Sequence, residues 1–236
     1  MQKLKSLSVF FPVYNEEANL DILLRQALEI LPKVARRFEI LVINDGSNDN
    51  SPAIAKRFEK KYPQIRLISH QKNLGYGEVL KTGIKESQYE WIFWMDSDLQ
   101  FDLNEIPNFV QHSTKNKVII GYRSKRAEGL KRHVNASIFR LYINLLFRLH
   151  VKDIDCAFKL IKASELKNLK LLSGSAFTSA EILYRLKKRR LKFQEIPVQH
   201  YKRLYGQATG ANWRVIVKAC VEALKIYLNM KFSFVK

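Results

Sequence analysis

Within the first hundred residues, short apolar runs alternate four times with polar clusters and helical stretches, and this alternation constrains the fold more than any other feature. Leu7–Val13, Phe38–Ile43, Ile65–Ser69 and Trp91–Met95 are continuously apolar or nearly so, as expected of strands buried on both faces of a sheet. Between them, Leu20, Leu23, Leu24, Ala27, Leu28 and Leu31 recur at helical spacing, and Pro32 helps end that segment. Asn15 is expected to cap this helix, with Glu16 and Glu17 at its positive end. Ser51-Pro52 offers an N-cap with Pro at the first helical position of a helix to about Lys61. A third helix follows Gly77 and runs to about Glu86. Strand, loop and helix in this order give an α/β chain with a mostly parallel, doubly wound sheet flanked by helices.

After Gln100 the pattern loosens. Leu103–His112 reads as a short helix, Lys117–Gly121 as a strand, and Arg132–His150 as a helix with Ile138, Leu141, Leu145, Leu146 and Leu149 on one side. Phe158–Ile161 and Lys192–Val198 read as strands and Thr178–Arg190 as a helix. The terminal helix, about Asn212–Asn229, is amphipathic: Lys218, Glu222, Lys225 and Asn229 share a stripe, and the wide apolar remainder suits either core packing or a membrane or partner surface. No Pro/Gly/Ser-rich linker divides residues 1–236, which read as a single domain.

Composition narrows the partners. Hydrophobic content of 47% and charged content of 27% are globular values. Against them stands a net charge of +19, with nine Lys/Arg and only Glu128 as an acid between Lys115 and Arg148. Such an excess calls for an anionic partner: phosphorylated substrates, an anionic membrane surface or nucleic acid. Trp91, Phe93 and Trp94 sit in a buried-looking run rather than among base-stacking positions, which argues against nucleic acid. Two cysteines make no disulfide framework, no signal-peptide pattern opens the sequence and no window is apolar enough to span a bilayer. A soluble or peripheral, cytoplasmic protein is expected.

The chemistry gathers where strands end. Trp91–Met95 runs into Asp96-Ser97-Asp98-Leu99-Gln100, a set of hard oxygen donors suited to Mg²⁺ or Mn²⁺ that also holds substrate phosphates. Taken alone, the same residues also suit a polar turn with an aspartate helix cap. Asp45 beside Gly46 suits hydrogen bonding to a nucleoside, and equally a turn. Gly75-x-Gly77 lacks the third glycine of a dinucleotide loop and follows the third strand, so a tight backbone approach near a ligand is expected instead.

Phe11-Pro12-Val13-Tyr14-Asn15-Glu16, Asn44-Asp45-Gly46-Ser47-x-Asp49, Asn73-x-Gly75-x-Gly77 and Asp96-Ser97-Asp98-Leu99-Gln100 occur in the order and spacing of family 2 glycosyltransferases. The later half extends the resemblance, with Gly121-Tyr122-Arg123, Arg132 with Ser137 and Asn144, Asp153-x-x-Cys156-Ala157-Phe158-Lys159, Glu195-Ile196-Pro197-Val198 and Arg203-x-x-Gly206. More narrowly, the chain resembles dolichol-phosphate mannosyltransferase and the bacterial polyprenyl-phosphate glycosyltransferases. The resemblance implies a Rossmann-like GT-A fold, with residues 1–100 binding a GDP- or UDP-hexose and 101–236 binding the acceptor. By the same analogy Pro12, Tyr14, Glu16 and Asp45 hold the nucleoside, and Asp96 begins the ribose and metal contacts. Asp98 and Gln100 hold the cation, and Arg203 reaches the diphosphate. Arg123, Arg132 and Ser137 grip the phosphate of a polyprenyl acceptor at the membrane surface. Asp98, Arg123 and Arg132 thus become the residues on which transfer depends. Two departures are Ala157, where the family often has glycine, and Gln207-Ala208-Thr209 after the late glycine.

A phosphomonoester acceptor, with a second pKa of about 6, needs holding rather than deprotonation, and the basic middle region suits that task. A hydroxyl acceptor would instead need a base, for which Glu181 is the candidate, although a carboxylate in the first turn of a helix also has a plain structural use. Asp153 is expected to orient Arg132 or Lys159, or to be a solvated or capping residue. A sugar-1-phosphate nucleotidyltransferase would carry a glycine-rich phosphate loop after the first strand, where this chain has Pro12-Val13-Tyr14-Asn15-Glu16.

Overall fold

The computed structural model describes residues 2–124, 141–203, 205 and 213–232. β1 (Leu7–Val13), α1 (Glu17–Val34), β2 (Phe38–Asn44), α2 (Ser51–Lys61), β3 (Ile65–Ser69), α3 (Tyr76–Glu86) and β4 (Trp91–Trp94) follow one another as the apolar pattern requires. A 3-10 turn (Leu103–Glu105) leads into α4 (Ile106–His112) and β5 (Val118–Arg123). Residues 141–147 are helical. β6 (Lys159–Lys162), α5 (Ala163–Leu166), α6 (Thr178–Lys188), β7 (Gln194–Val198) and α7 (Trp213–Phe232) complete the order. Arg132, Ser137, Ile138 and Gly206 lie outside the described residues.

The strands form one seven-stranded sheet in the order β3-β2-β1-β4-β6-β5-β7. Neighbours are parallel except around β6, which runs antiparallel to both β4 and β5. Nothing in Lys159–Lys162 marks it as the reversed strand, because pairing direction follows from the path of the chain rather than from local composition.

Both faces of the sheet are covered, which explains the unbroken apolar runs. Leu7, Val9, Phe11 and Val13 of β1 pack with Leu20, Leu23, Leu24 and Leu31 of α1, while Phe10 turns to the opposite face with Val79, Leu80 and Ile84 of α3 and Leu183 of α6. There Phe10 stacks on Trp94 at 5.6 Å between ring centroids. Ser8 interrupts the run but is satisfied, its hydroxyl donating to Glu39 at 2.6 Å. Trp91, Phe93 and Trp94 are all buried, which removes them from any base-stacking surface.

Some local expectations are corrected. Pro32 lies inside α1, which runs on to Val34; Val34 and Ala35 are buried in the same core as the rest of the helix, and that packing sustains the last turn. Neither Asn15 nor Ser51 caps a helix: Glu16 and Asn50 occupy the N-cap positions without side-chain cap bonds. Both side chains are taken up by contacts between loops, described below. The polar stripe of α7 is divided: Lys225 and Asn229 are exposed, but Glu222 is not. Glu222 turns inward, accepting from the hydroxyls of Ser173 (2.7 Å) and Ser175. Ala223 and Ile226 are buried, Tyr142 donates its hydroxyl to the Cys220 carbonyl at 3.0 Å, and Phe147 meets Tyr227 edge-on. Val217, Val221, Leu224 and Leu228 remain exposed, as do Leu141 and Leu145 of the 141–147 helix. No helix among the described residues is long and apolar enough to cross a membrane.

Candidate active site

Because β1, β2 and β4 are adjacent and parallel, the loops that follow them share one edge of the sheet. Hydrogen bonds stitch those loops together. Ser97 Oγ donates to the Pro12 carbonyl at 2.6 Å, and the Asp45 N–H donates to the Val13 carbonyl at 2.8 Å. Asn15 holds a left-handed φ of 55°, a conformation asparagine tolerates. Its N–H donates to Ser47 Oγ (3.0 Å) and its Oδ1 accepts from the Asn48 N–H (2.8 Å). Ser51 Oγ accepts from the Glu16 N–H at 2.9 Å, and Asp49 accepts from the Glu17 N–H at 3.0 Å. Asn15 and Ser51 therefore tie the first loop to the second instead of capping their own helices. A groove of about 410 Å³ runs along this edge, lined by Asn15, Glu16, Asn48, Asp49 and Tyr205.

Glu16, which lines the groove, is tied through Arg203 to the acidic turn after β4. Burial, together with the negative charge of Asp98, pushes the Asp96 carboxyl up to about 7, while a hydrogen bond from Tyr76 and the charges of Arg123 and Lys159 pull it down. Burial raises the Tyr76 hydroxyl well above its ordinary range, and Asp96 adds to that shift, so the phenol stays protonated and donates to Asp96. Asp98 Oδ1 accepts from the Gln100 N–H at 3.1 Å across Leu99, whose φ of 58° turns the chain there. Arg203 arrives from the far end of the chain and bridges two loops. Its Nη1 donates to Asp98 Oδ2 at 3.3 Å and its Nη2 to Glu16, with Nε held by the Tyr205 carbonyl. Burial raises the Glu16 carboxyl, opposed by hydrogen bonds from Asn19 and Arg203. The donor set is one of hard oxygens, with Asp98 raising the carboxyls of both Asp96 and Glu16, and a guanidinium supplies counter-charge between Asp98 and Glu16. Among the described residues no three His, Cys, Asp or Glu side chains gather around one metal position, so a divalent cation would draw the rest of its ligands from phosphates and water. Gln100 is buried, and its Nε2 donates to the Tyr201 carbonyl at 2.9 Å. A cation would therefore meet the amide oxygen of Gln100.

Pro12, near the end of β1, is half-buried, and Tyr14 just beyond the strand is exposed. Asp45 is buried and its carboxylate braces the next loop, accepting from the N–H groups of Leu74 and Gly75, each at 2.9 Å. Gly46 has a φ of 68°, and a Cβ there would fall 2.6 Å from the Lys72 backbone. Gly77 does serve a tight approach, to backbone of this same chain. It lets α3 approach the 174–178 segment, where a Cβ would come within 2.3 Å of Thr178 Oγ1.

Arg123 is not turned outward. Its Nε and Nη2 bind Asp153 at 2.7 and 2.9 Å in a buried bidentate pair, so Asp153 orients Arg123; Arg132, an expected partner of Asp153, lies outside the described residues. The end of β5 brings the Arg123 backbone to the same carboxylate, its N–H donating at 3.3 Å. Lys159 is fully buried, and burial lowers its ammonium; its Nζ donates to the carbonyls of Ile154 (3.2 Å) and Cys156 and to Ser179 Oγ (3.2 Å). Burial likewise pushes the Cys156 thiol up to about 12, which leaves it inert.

Glu181 is corrected as a base. It is fully buried, accepts from the N–H groups of Leu172 (3.0 Å) and Ser173 (2.8 Å), and is paired with Arg185 Nε at 2.7 Å. Those bonds hold the turn before α6 and engage both carboxylate oxygens. Sequence reasoning missed Tyr76 and His70. His70 directly follows β3, as Asp45 follows β2, so applying the strand-end rule to every strand would have found it.

Residues 8–170 match the family model described as Glycosyl transferase family 2. The chain is 26% identical over 170 residues to a dodecaprenyl-phosphate galacturonate synthase of Rhizobium johnstonii, covering 70% of this chain and 50% of that protein. It is 30% identical over 168 residues to the dolichyl-phosphate beta-glucosyltransferase ALG5C of Trichomonas vaginalis, covering 63% and 49%. The chain thus spans about half the length of these curated relatives. Among solved structures, it resembles glucosyl-3-phosphoglycerate synthase of Mycobacterium tuberculosis in complex with Mn²⁺, UDP and phosphoglyceric acid. The TM-score is 0.70 at 14% identity, covering 96% of this chain and 78% of that one. That likeness establishes the GT-A fold.

Proposed function

The chain belongs to glycosyl transferase family 2, and from that premise we propose that it is an inverting transferase, dependent on Mg²⁺ or Mn²⁺, that moves a hexose from GDP or UDP to a polyprenyl phosphate. The observation that carries this reading is the meeting of Asp96, Asp98, Glu16 and Arg203 where the loops after parallel strands converge. The polyprenyl- and dolichyl-phosphate relatives support the acceptor class.

Residues 1–100 supply the donor side and residues 101–236 the acceptor side of one domain. Pro12, Tyr14, Glu16 and Asp45 hold the nucleoside. Asp96, Asp98 and Gln100 hold the divalent ion, which when bound acts as a Lewis acid on the leaving diphosphate. Arg203 leaves Glu16 and Asp98 for the diphosphate, adding a second positive charge as the leaving group gains negative charge. Arg123, oriented by Asp153, joins Arg132 and Ser137 on the acceptor phosphate. Asp98, Arg123 and Arg132 carry the transfer: one neutralises through the ion, two position the nucleophile. A phosphate dianion attacks without a general base, and the engagement of Glu181 weighs against a hydroxyl acceptor served by that residue.

The protein works as a peripheral enzyme at the cytoplasmic membrane face. Leu141, Leu145, Val217, Val221, Leu224 and Leu228 offer apolar contact, and Lys188, Arg189 and Arg190 are exposed just beyond Lys187, whose Nζ donates to the Leu149 carbonyl at 3.2 Å.

Purified protein incubated with GDP- and UDP-hexoses, Mn²⁺ and a short polyprenyl phosphate should yield the glycosylated lipid phosphate. Asp98→Ala should lose the metal-dependent part of the thermal shift that a nucleotide sugar produces. Glycosylation of hydroxyl acceptors while polyprenyl phosphate stays inert would overturn the acceptor assignment.

A further inference from the structure

Where β2 and β3 end, Asp45, His70 and Thr82 form a chain of side-chain hydrogen bonds. Asp45 Oδ1 meets His70 Nδ1 at 2.8 Å, and His70 Nε2 meets Thr82 Oγ1, in α3, at 2.9 Å. The His70 backbone is itself fixed, its N–H donating to the Asn44 carbonyl at 2.9 Å. The two side chains are 10% and 5% exposed, so water competes poorly for either. An ionised carboxylate only accepts, so the ring nitrogen that faces Asp45 is the donor, while the Thr82 hydroxyl can donate or accept at Nε2.

We infer that His70 is a positioning residue for nucleoside binding. It fixes the Asp45 carboxylate and, through it, the turn that opens α3. A carboxylate offers about four acceptor sites. His70 and the Leu74 N–H occupy Oδ1, and the Gly75 N–H occupies one site of Oδ2, leaving the second Oδ2 site to meet a nucleoside. Rotation of Asp45 would misdirect that site. It would also release Gly75, whose carbonyl accepts the first N–H groups of α3, just before Tyr76, the donor to Asp96. The inference rests on the proposal that Asp45 faces the nucleoside.

Calorimetric titration of UDP and GDP, with Mn²⁺, into wild type, His70→Asn and His70→Gln tests it. Asparagine places its amide nitrogen near the position of Nδ1 and keeps the bond to Asp45; glutamine reaches toward Thr82 and forfeits it. The Asn variant should keep Kd within about threefold of wild type, and the Gln variant should weaken it roughly tenfold, as for loss of a hydrogen bond to a charged group. With the donor saturating, kcat should hold within about twofold in the Asn variant, which keeps the bond to Asp45. Equal affinity in all three proteins, or equal loss in both variants at matched melting temperatures, overturns the role of His70. A wild type that binds neither nucleotide overturns the proposed function itself, and this inference with it.

Discussion

Asp96 is the most electrostatically loaded residue of the site. Its carboxyl is raised from 3.8 to about 7, first by burial and then by Asp98. The native state therefore holds a proton there that the unfolded chain has already released, so Asp96 subtracts stability progressively as pH rises through that interval, and above it the loss is complete. In metal-free protein the melting temperature of wild type, measured against Asp96→Asn, should decline between about pH 4 and 7. The asparagine does not titrate and still accepts from Tyr76. Parallel melting curves across that range would show that Asp96 has an ordinary affinity for protons. At this scale the sequence revealed residue types but not their partners. Asp96, Asp98, Glu16 and Arg203 were legible as candidates from composition and family spacing. Nothing local indicated that Arg203 would reach across the chain to Glu16, that Asp153 would take Arg123, or that Glu181 would be locked by backbone amides.

Elements were more legible than contacts between them. The apolar runs became strands and the 3.6-residue periodicities became helices, because a strand covered on both faces and a helix covered on one leave different repeats in the chain. Caps and close approaches were not legible, since each depends on a neighbour distant in sequence. Gly77 illustrates the point. Glycine to alanine inside a helix ordinarily gains about 0.5–1 kcal/mol. In α3 the added methyl would fall 2.3 Å from Thr178 Oγ1, 2.4 Å from the Gly174 carbonyl carbon and 2.6 Å from the Ser175 oxygen. Backbone atoms of a packed turn cannot retreat cheaply, and overpacking of this kind costs about 1–3 kcal/mol. Gly77→Ala should therefore lower the urea midpoint despite its better helix propensity. A raised midpoint would mean that α3 slides away from the 174–178 turn without loss.

Over the whole molecule the unbalanced quantity is charge, +19 in all. Exposed Leu141, Leu145, Leu224 and Leu228 lie on helices joined through Tyr142 and Phe147 to the basic end of α6, which combines apolar and cationic surface. Basic residues near an anionic leaflet contribute about 1 kcal/mol each, and that attraction is screened by salt. Co-sedimentation with vesicles containing phosphatidylserine should exceed that with neutral vesicles and fall as salt rises. Leu145→Glu with Leu224→Glu should reduce it several-fold at unchanged melting temperature. Binding indifferent to lipid charge and to both substitutions would remove the membrane from the proposal.

The sequence by itself determined the layered α/β architecture, the strand ends on which chemistry collects and the family to which the chain belongs. Burial, helical and strand periodicity and loop composition are all local properties, written in consecutive residues. Only the tertiary structure decided the reversed β6, the loop-to-loop stitching by Asn15, Ser47 and Ser51, the bridge from Arg203 to Glu16 and Asp98, and the His70 brace behind Asp45. These join groups that lie between 25 and 187 residues apart in the chain or depend on the direction in which strands meet. Asp96-Ser97-Asp98-Leu99-Gln100 shows both halves: its position at the end of a buried strand follows from its own ten residues, whereas its electrostatics come from Tyr76, Arg123, Lys159 and Arg203, which only folding brings near.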